Sequence, residues 1–284
     1  MQRRAAAGVA ALLAGCAVVA APRPAAVSFP NATPGAPLHG VARETRPAGS
    51  GPWPAVVLLH GCHGVSDSTR AWARWFGERG FVAVVVDSWT PRGIRDGCVP
   101  GPELPGTERL DDAIGALVWL QARPYVDRER VGVVGWSNGG VFAMSLVNGP
   151  SLQRARARGV AVPSPGFRAA VALYPGGCFS LKDEQVVRPL LVLIGDADDW
   201  TLASECADMV AVMRGRGADA TIVRYPGAFH YFDVEGQART WLPDVENRNR
   251  PGGCCGATVA YDAAAAADAR HRVAEFFGYH LGVR

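Results

Sequence analysis

The sequence predicts an α/β domain: a mostly parallel central sheet with helices packed on both faces. Three observations carry this. Continuous apolar runs such as residues 55–59 (AVVLL) and 81–86 (FVAVVV) have the length and composition of strands buried on both faces. Segments with apolar residues at helical spacing separate such runs, and this alternation builds a parallel sheet through crossover connections. The chain of 284 residues is 49% hydrophobic and 19% charged. That is enough for one large core, and it excludes a fully disordered chain, a collagen or a coiled coil.

The N-terminus reads as an export signal. Arg3 and Arg4 precede an apolar stretch, residues 5–15, that is too short to span a bilayer. It ends in Leu13-Ala14-Gly15-Cys16, similar to the lipobox of bacterial lipoprotein signals. Residues 1–15 are then the signal peptide and Cys16 the lipidated residue; a plain secretory signal cut near Ala20 or Ala26 is the alternative. Either reading places the protein in the bacterial periplasm or cell envelope, touching the membrane only through an N-terminal lipid. Residues 16–53 are rich in Pro, Ala and Gly and read as a tether with an irregular or short-strand entry, ahead of a domain at 54–284.

Within that domain each element has its own signal. Residues 68–79 carry Trp72, Trp75 and Phe76 at helical spacing and stop at Gly80. Leu110, Ile114, Leu117 and Leu120 form the stripe of a helix over 108–123. Residues 130–134 are a strand that runs into Gly135-Trp136-Ser137-Asn138-Gly139-Gly140, and a helix over 139–147 follows. Strands at 167–174, 189–194 and 219–225 and helices at 202–214 and 262–281 complete the pattern. Residues 233–257 lack periodicity and read as an ordered insertion held by disulfides.

Formal charge is +3, and without Arg3 and Arg4 it falls to 27 basic against 26 acidic residues. A near-neutral chain has no concentrated basic face, so nucleic acid is not an expected partner. Arg154, Arg156 and Arg158 fit a solvated loop or helix face.

Chemistry concentrates at three places. Gly135-Trp136-Ser137-Asn138-Gly139 fits G-x-S-x-G between a strand and a helix, the context in which a tight turn pushes a serine hydroxyl out at the sheet's carboxyl edge. A serine needs a base, and the base an orienting carboxylate. His230, in the loop after the strand at 219–225, is the expected base. The acid is expected from Gly195-Asp196-Ala197-Asp198-Asp199, with Asp198 preferred and Asp196 or Asp199 left as solvated or capping residues. The backbone N–H groups of Asn138 and of Cys62, in His60-Gly61-Cys62-His63-Gly64, are the expected oxyanion donors. His60 and His63 make at most half a metal site, so neither metal nor cofactor is expected.

LLHGCHG, GFVAVVVDSW, GWSNGG, LIGDADDW and PGAFHYF together resemble the dienelactone hydrolase family of α/β hydrolases, over residues 54–281. The resemblance implies an α/β-hydrolase sheet and a nucleophile–acid–histidine triad of Ser137, Asp198 and His230. It also implies a departure. Family members that open dienelactones use a cysteine nucleophile and a glutamate near the oxyanion loop, whereas this chain has Ser137 and no acid in HGCHG. A serine variant that cleaves ordinary small-molecule carboxylic esters through an acyl-enzyme is therefore expected. A peptidase or acyltransferase on the same triad, or a catalytically silent lipoprotein that binds a small ligand or cell-surface partner, are the alternatives. Oligomeric state is not legible.

Trp89, Arg92 and Arg95 follow the second buried strand and could bind an acidic acyl group, although ion pairs with local acids such as Asp96 are the plainer reading; Trp200 could line the pocket. Beyond Cys16 the cysteines number six, an even count that favours disulfides in an exported chain. Cys62–Cys98 and Cys178–Cys206 are the expected pairs, and the adjacent Cys254 and Cys255 are expected to pair elsewhere rather than with each other.

Overall fold

A computed structural model describes residues 24–35, 39–99 and 106–283. The signal segment and Cys16 lie outside the described residues. In chain order the elements are β1 (Ala25–Pro30), β2 (His39–Thr45), β3 (Trp53–Leu59), α1 (Asp67–Glu78), β4 (Val82–Asp87), α2 (Gly106–Gln121) and β5 (Val126–Trp136). They continue with α3 (Asn138–Ser145), α4 (Gly149–Ala157), β6 (Ala170–Leu173), α5 (Cys178–Leu181), β7 (Leu190–Gly195), α6 (Ala203–Gly215) and β8 (Ala220–Tyr225). A small β9 (Thr240–Leu242), β10 (Ala257–Val259) and α7 (Ala263–Leu281) complete the chain.

Eight strands form one sheet in the order β1-β2-β4-β3-β5-β6-β7-β8. β1, β2 and β4 pair antiparallel, and every pair from β4 to β8 is parallel. The sheet therefore begins ahead of the domain start expected at 54. β1 and β2 lie in the Pro-rich segment and extend its edge, β2 by pairing with β4 and β1 by pairing with β2. The chain is thus a mostly parallel α/β-hydrolase sheet.

The helices take their faces from connection handedness. β3-α1-β4 steps one way along the sheet and β4-α2-β5 the other, so right-handed crossovers put α1 and α2 on opposite faces. α7 joins α1, the Phe76 and Phe277 rings meeting at 5.9 Å. Local chemistry sets the helix ends: Ser66 caps α1 by accepting from the Thr69 amide, and Asp262 caps α7 through the Ala264 and Ala265 amides. The core is continuous across the sheet, with Val56, Val57, Leu58, Val84, Ala172 and Val192 fully buried.

The connections after β3 and β5 leave toward opposite faces. This is the switch point of an open α/β sheet, where a crevice forms beyond the carboxyl ends of the strands. The Gly61–Cys62 and Ser137–Asn138 segments both lie there.

Candidate active site

Ser137 follows β5 directly, in a conformation unusual for a residue with a side chain, φ 52° and ψ −116°. Its surroundings enforce this. A Cβ on Gly135 would collide with the Gly139 carbonyl, and one on Gly139 with the Leu59 and His60 carbonyl oxygens. The two glycines let strand, turn and helix close on one another. The Ser137 amide donates to the Leu173 carbonyl at 2.9 Å, and its carbonyl accepts from Gly140 at 2.9 Å.

His230 is fully buried and Asp198 nearly so. His230 Nδ1 donates to Asp198 Oδ2 at 2.7 Å. Asp198 Oδ1 accepts from the Trp200 and Thr201 amides at 2.9 and 2.8 Å, and Thr201 Oγ1 lies 2.9 Å from Oδ2. A carboxylate so fully engaged is fixed in orientation and holds the imidazole with its proton on Nδ1. His230 Nε2 has no partner among the described residues. Neighbouring rings confine the imidazole: Tyr174 at 4.5 Å, Trp200 at 4.8 Å and Tyr231 at 5.0 Å.

The neighbouring aspartates do other work. Asp196 pairs with Arg224 at the surface. Asp199 does not cap α6, whose N-cap is Leu202. It accepts instead from Arg250, from the Thr258 amide at 2.8 Å and from Thr258 Oγ1 at 3.1 Å. Asp199 thus ties the acid loop to the insertion.

The insertion expected at 233–257 is ordered, but hydrogen bonds rather than disulfides hold it to the body. Trp200 Nε1 donates to the Glu246 carbonyl, the Glu246 amide to the Cys98 carbonyl, and Asn247 Nδ2 to the Asp199 carbonyl. The expectation for its cysteines is corrected: Cys254 and Cys255 are joined to each other. The other four described cysteines pair as Cys62–Cys98 and Cys178–Cys206, which leaves the adjacent pair no other partner among the described residues. A cleft of about 570 Å³ opens over Ser137, bordered by Cys62, Cys98, Phe179, Trp200 and Glu246.

Among the described residues neither the Cys62 nor the Asn138 amide donates to a protein acceptor. The Cys62 carbonyl takes the Gly97 amide at 2.9 Å and Trp89 Nε1 at 2.6 Å, and its sulfur is bonded to Cys98. His60 is buried, and burial pushes it down to about 3. Its Nδ1 donates to the Gly61 carbonyl at 2.6 Å and its Nε2 accepts from the Ser88 amide at 3.2 Å. Both ring nitrogens are committed, so His60 is a structural residue and no metal ligand. His63 pairs with Asp96 at 3.0 Å, and the nearby Cys98 sulfur is spent in its disulfide.

Of the four residues considered for substrate binding, Trp200 borders the cleft. Trp89 is buried and buttresses Cys62. Arg92 is corrected to an internal ion pair: both its Nη atoms reach Asp112 and its Nε reaches Glu108. Arg95 is exposed and has no hydrogen bond or ion pair among the described residues. Sequence reasoning missed Arg109, Tyr174 and Thr201, which touch Asn138, His230 and Asp198, and Asp233, which accepts from Trp136 beside the serine turn; none of them stands in a motif.

The dienelactone hydrolase family profile matches residues 41–281. The chain belongs to the dienelactone hydrolase family. Its activity class is accordingly that of a carboxylic ester hydrolase. A Synechocystis protein named as a carboxymethylenebutenolidase is 22% identical over 83% of this chain and 89% of its own length. A Bradyrhizobium protein named as a 2-oxo-3-(5-oxofuran-2-ylidene)propanoate lactonase is 24% identical over 66% of this chain and 76% of its own. Among solved structures, a Klebsiella pneumoniae protein named as a dienelactone hydrolase matches with TM-score 0.66 and 20% identity, covering 90% of this chain and 99% of that one. Brefeldin A esterase matches with TM-score 0.65 and 18% identity, over 98% and 81% of the two chains. At these identities the structural likeness establishes the family's fold in this chain and nothing finer.

Proposed function

We propose that this family member is an exported serine esterase that cleaves small-molecule carboxylic esters through Ser137, His230 and Asp198. The observation that carries the reading is the pairing of His230 Nδ1 with a fully hydrogen-bonded Asp198 at 2.7 Å, which leaves Nε2 as the basic atom. The turn that holds Ser137 lies at the same sheet edge. Catalytic hydrogen bonds are often completed only when substrate binds, so the absence of a Ser137–His230 hydrogen bond in this structure accords with the reading.

In the proposed reaction His230 Nε2 takes the Ser137 proton as Oγ attacks the ester carbonyl. The Cys62 and Asn138 amides hold the oxyanion, and Asp198 stabilises the imidazolium. The imidazolium then protonates the departing alkoxide, which leaves as the alcohol, and an acyl-Ser137 remains. Water, deprotonated by the same Nε2, releases the carboxylic acid and restores Ser137. Export is proposed from the Arg3–Arg4 and Cys16 pattern and from cysteines that pair throughout the described residues.

Labelling of oxidised, signal-less protein with a fluorophosphonate, followed by mass mapping, tests this. An adduct on Ser137 that disappears in His230→Ala is expected. Folded protein that takes no label would overturn the serine-esterase reading and favour a silent binding module.

A further inference from the structure

One buried cation joins the loop after β3 to the turn after β5. Arg109, in the first turns of α2, is 3% exposed. Its guanidinium carbon lies 4.6 Å from the Trp89 ring centre and 5.1 Å from that of Phe142. Nη2 donates to the His60 carbonyl at 2.7 Å, and Nη1 donates to Asn138 Oδ1. No carboxylate accepts from Arg109 among the described residues. Asp112, three positions along the same helix, gives both its oxygens to Arg92. Burial pushes Arg109 down to about 9 against the opposing pull of the nearby Asp112 charge, with a smaller push from the Arg92 charge.

A buried cation without a carboxylate partner is costly, and its two acceptors indicate what it does. His60 stands two residues before Cys62, and Asn138 is itself the second amide of the oxyanion pair. We infer that Arg109 is a positioning residue for the oxyanion hole, clamping the Cys62 loop to the Asn138 turn so that their two amides keep the spacing that a tetrahedral oxyanion requires. The inference rests on the serine-esterase reading above. The clamp also places positive charge behind the amides, where negative charge develops on the substrate oxygen. Trp89 contributes twice, since its ring covers Arg109 while its Nε1 holds the Cys62 carbonyl.

The test compares wild type, Arg109→Lys and Arg109→Met as disulfide-intact proteins, with p-nitrophenyl acetate as substrate and an alkyl trifluoromethyl ketone as tetrahedral mimic. Loss of an oxyanion donor's alignment lowers kcat by roughly a hundredfold, so Arg109→Met is expected to lose about that much with KM nearly unchanged. Affinity for the ketone falls in parallel, and Arg109→Lys recovers part of both. A merely structural role would not link turnover to affinity for a tetrahedral mimic. A folded Arg109→Met that keeps wild-type kcat, or loses only in KM, overturns the inference. Continued fluorophosphonate labelling of Ser137 in that variant leaves the esterase reading standing, whereas wild type that takes no label removes both. Where Arg109→Met does not fold, Asn138→Ala decides: it removes one acceptor but keeps the backbone amide. It is expected to lower kcat by less than the roughly hundredfold loss of an oxyanion donor itself, and unchanged kcat overturns the inference.

Discussion

Trp136 donates its indole Nε1–H to Asp233 Oδ2 at 2.9 Å. The residue just before the serine turn is thereby tied to a carboxylate three positions beyond His230. Trp72 Nε1 shares the same oxygen at 2.7 Å, and the Tyr174 hydroxyl donates to the other at 2.6 Å. Burial and the nearby carboxylate push the Tyr174 phenol well above its usual range, so it stays a donor while its ring rests on His230. One buried carboxylate thus sets the His230 loop against the turn that carries Ser137.

Removing that carboxylate is expected to be expensive. Asp233→Ala leaves three buried donors without an acceptor, each costing about 1–3 kcal/mol. Urea unfolding should show a loss of several kcal/mol at unchanged m-value. A loss below about 1 kcal/mol would show that the network contributes little.

The three aspartates of the acid loop separate by mutation. Asp198→Asn is expected to lower kcat by about 10⁴-fold, because the imidazole is then left in the wrong tautomer. Asp196→Asn, which loses only a surface ion pair, should keep kcat within about twofold of wild type. Asp199→Asn is expected to loosen the insertion, with faster proteolysis within residues 233–257. Comparable kcat for Asp198→Asn and wild type would transfer the acid role elsewhere.

The Cys62–Cys98 bond closes a loop with a sequence separation of 36 residues. Such a loop is worth about 4 kcal/mol in the chain-entropy account. Cys62→Ser with Cys98→Ser should therefore lower the melting temperature. It should also lower kcat, because the Cys62 amide loses its covalent restraint. Unchanged kcat in a destabilised variant would show that Trp89 and Gly97 suffice to hold that amide.

His60 gives the fold an acid limit. Its folded pKa, about 3, lies below the unfolded value of 6.5. Above pH 6.5 both states are neutral and its contribution is fully present. Below that the unfolded chain takes up the proton first, and stability falls by up to about 1.4 kcal/mol per pH unit toward pH 3. Denaturant titrations between pH 7 and 4 should show this slope, reduced in His60→Gln.

The strand–helix alternation was legible because both periodicities are local: strands buried on two faces must be apolar throughout, and helices must carry a stripe. Ser137, Asp198 and His230 stood out for the same reason, each lying just past a strand in a short motif. The structure brings His230 and Asp198 to hydrogen-bonding distance and sets Ser137 in the turn at the same sheet edge. Arg92 and Arg109 were not separable by sequence, since both are arginines near the second βα connection. The fold gives one to Asp112 and leaves the other to the His60 carbonyl and Asn138.

By itself the sequence determined the α/β architecture and the family, because each strand, helix and motif that carries them is a run of residues close together in the chain. The tertiary structure decided what distance along the chain conceals. It placed β1 and β2 on the sheet, committed Asp199 to the insertion, joined Cys254 to Cys255, and put Arg109 and Asp233 between segments far apart in sequence. Those choices depend on which buried donors and charges meet, and burial exists only once the whole sheet has closed.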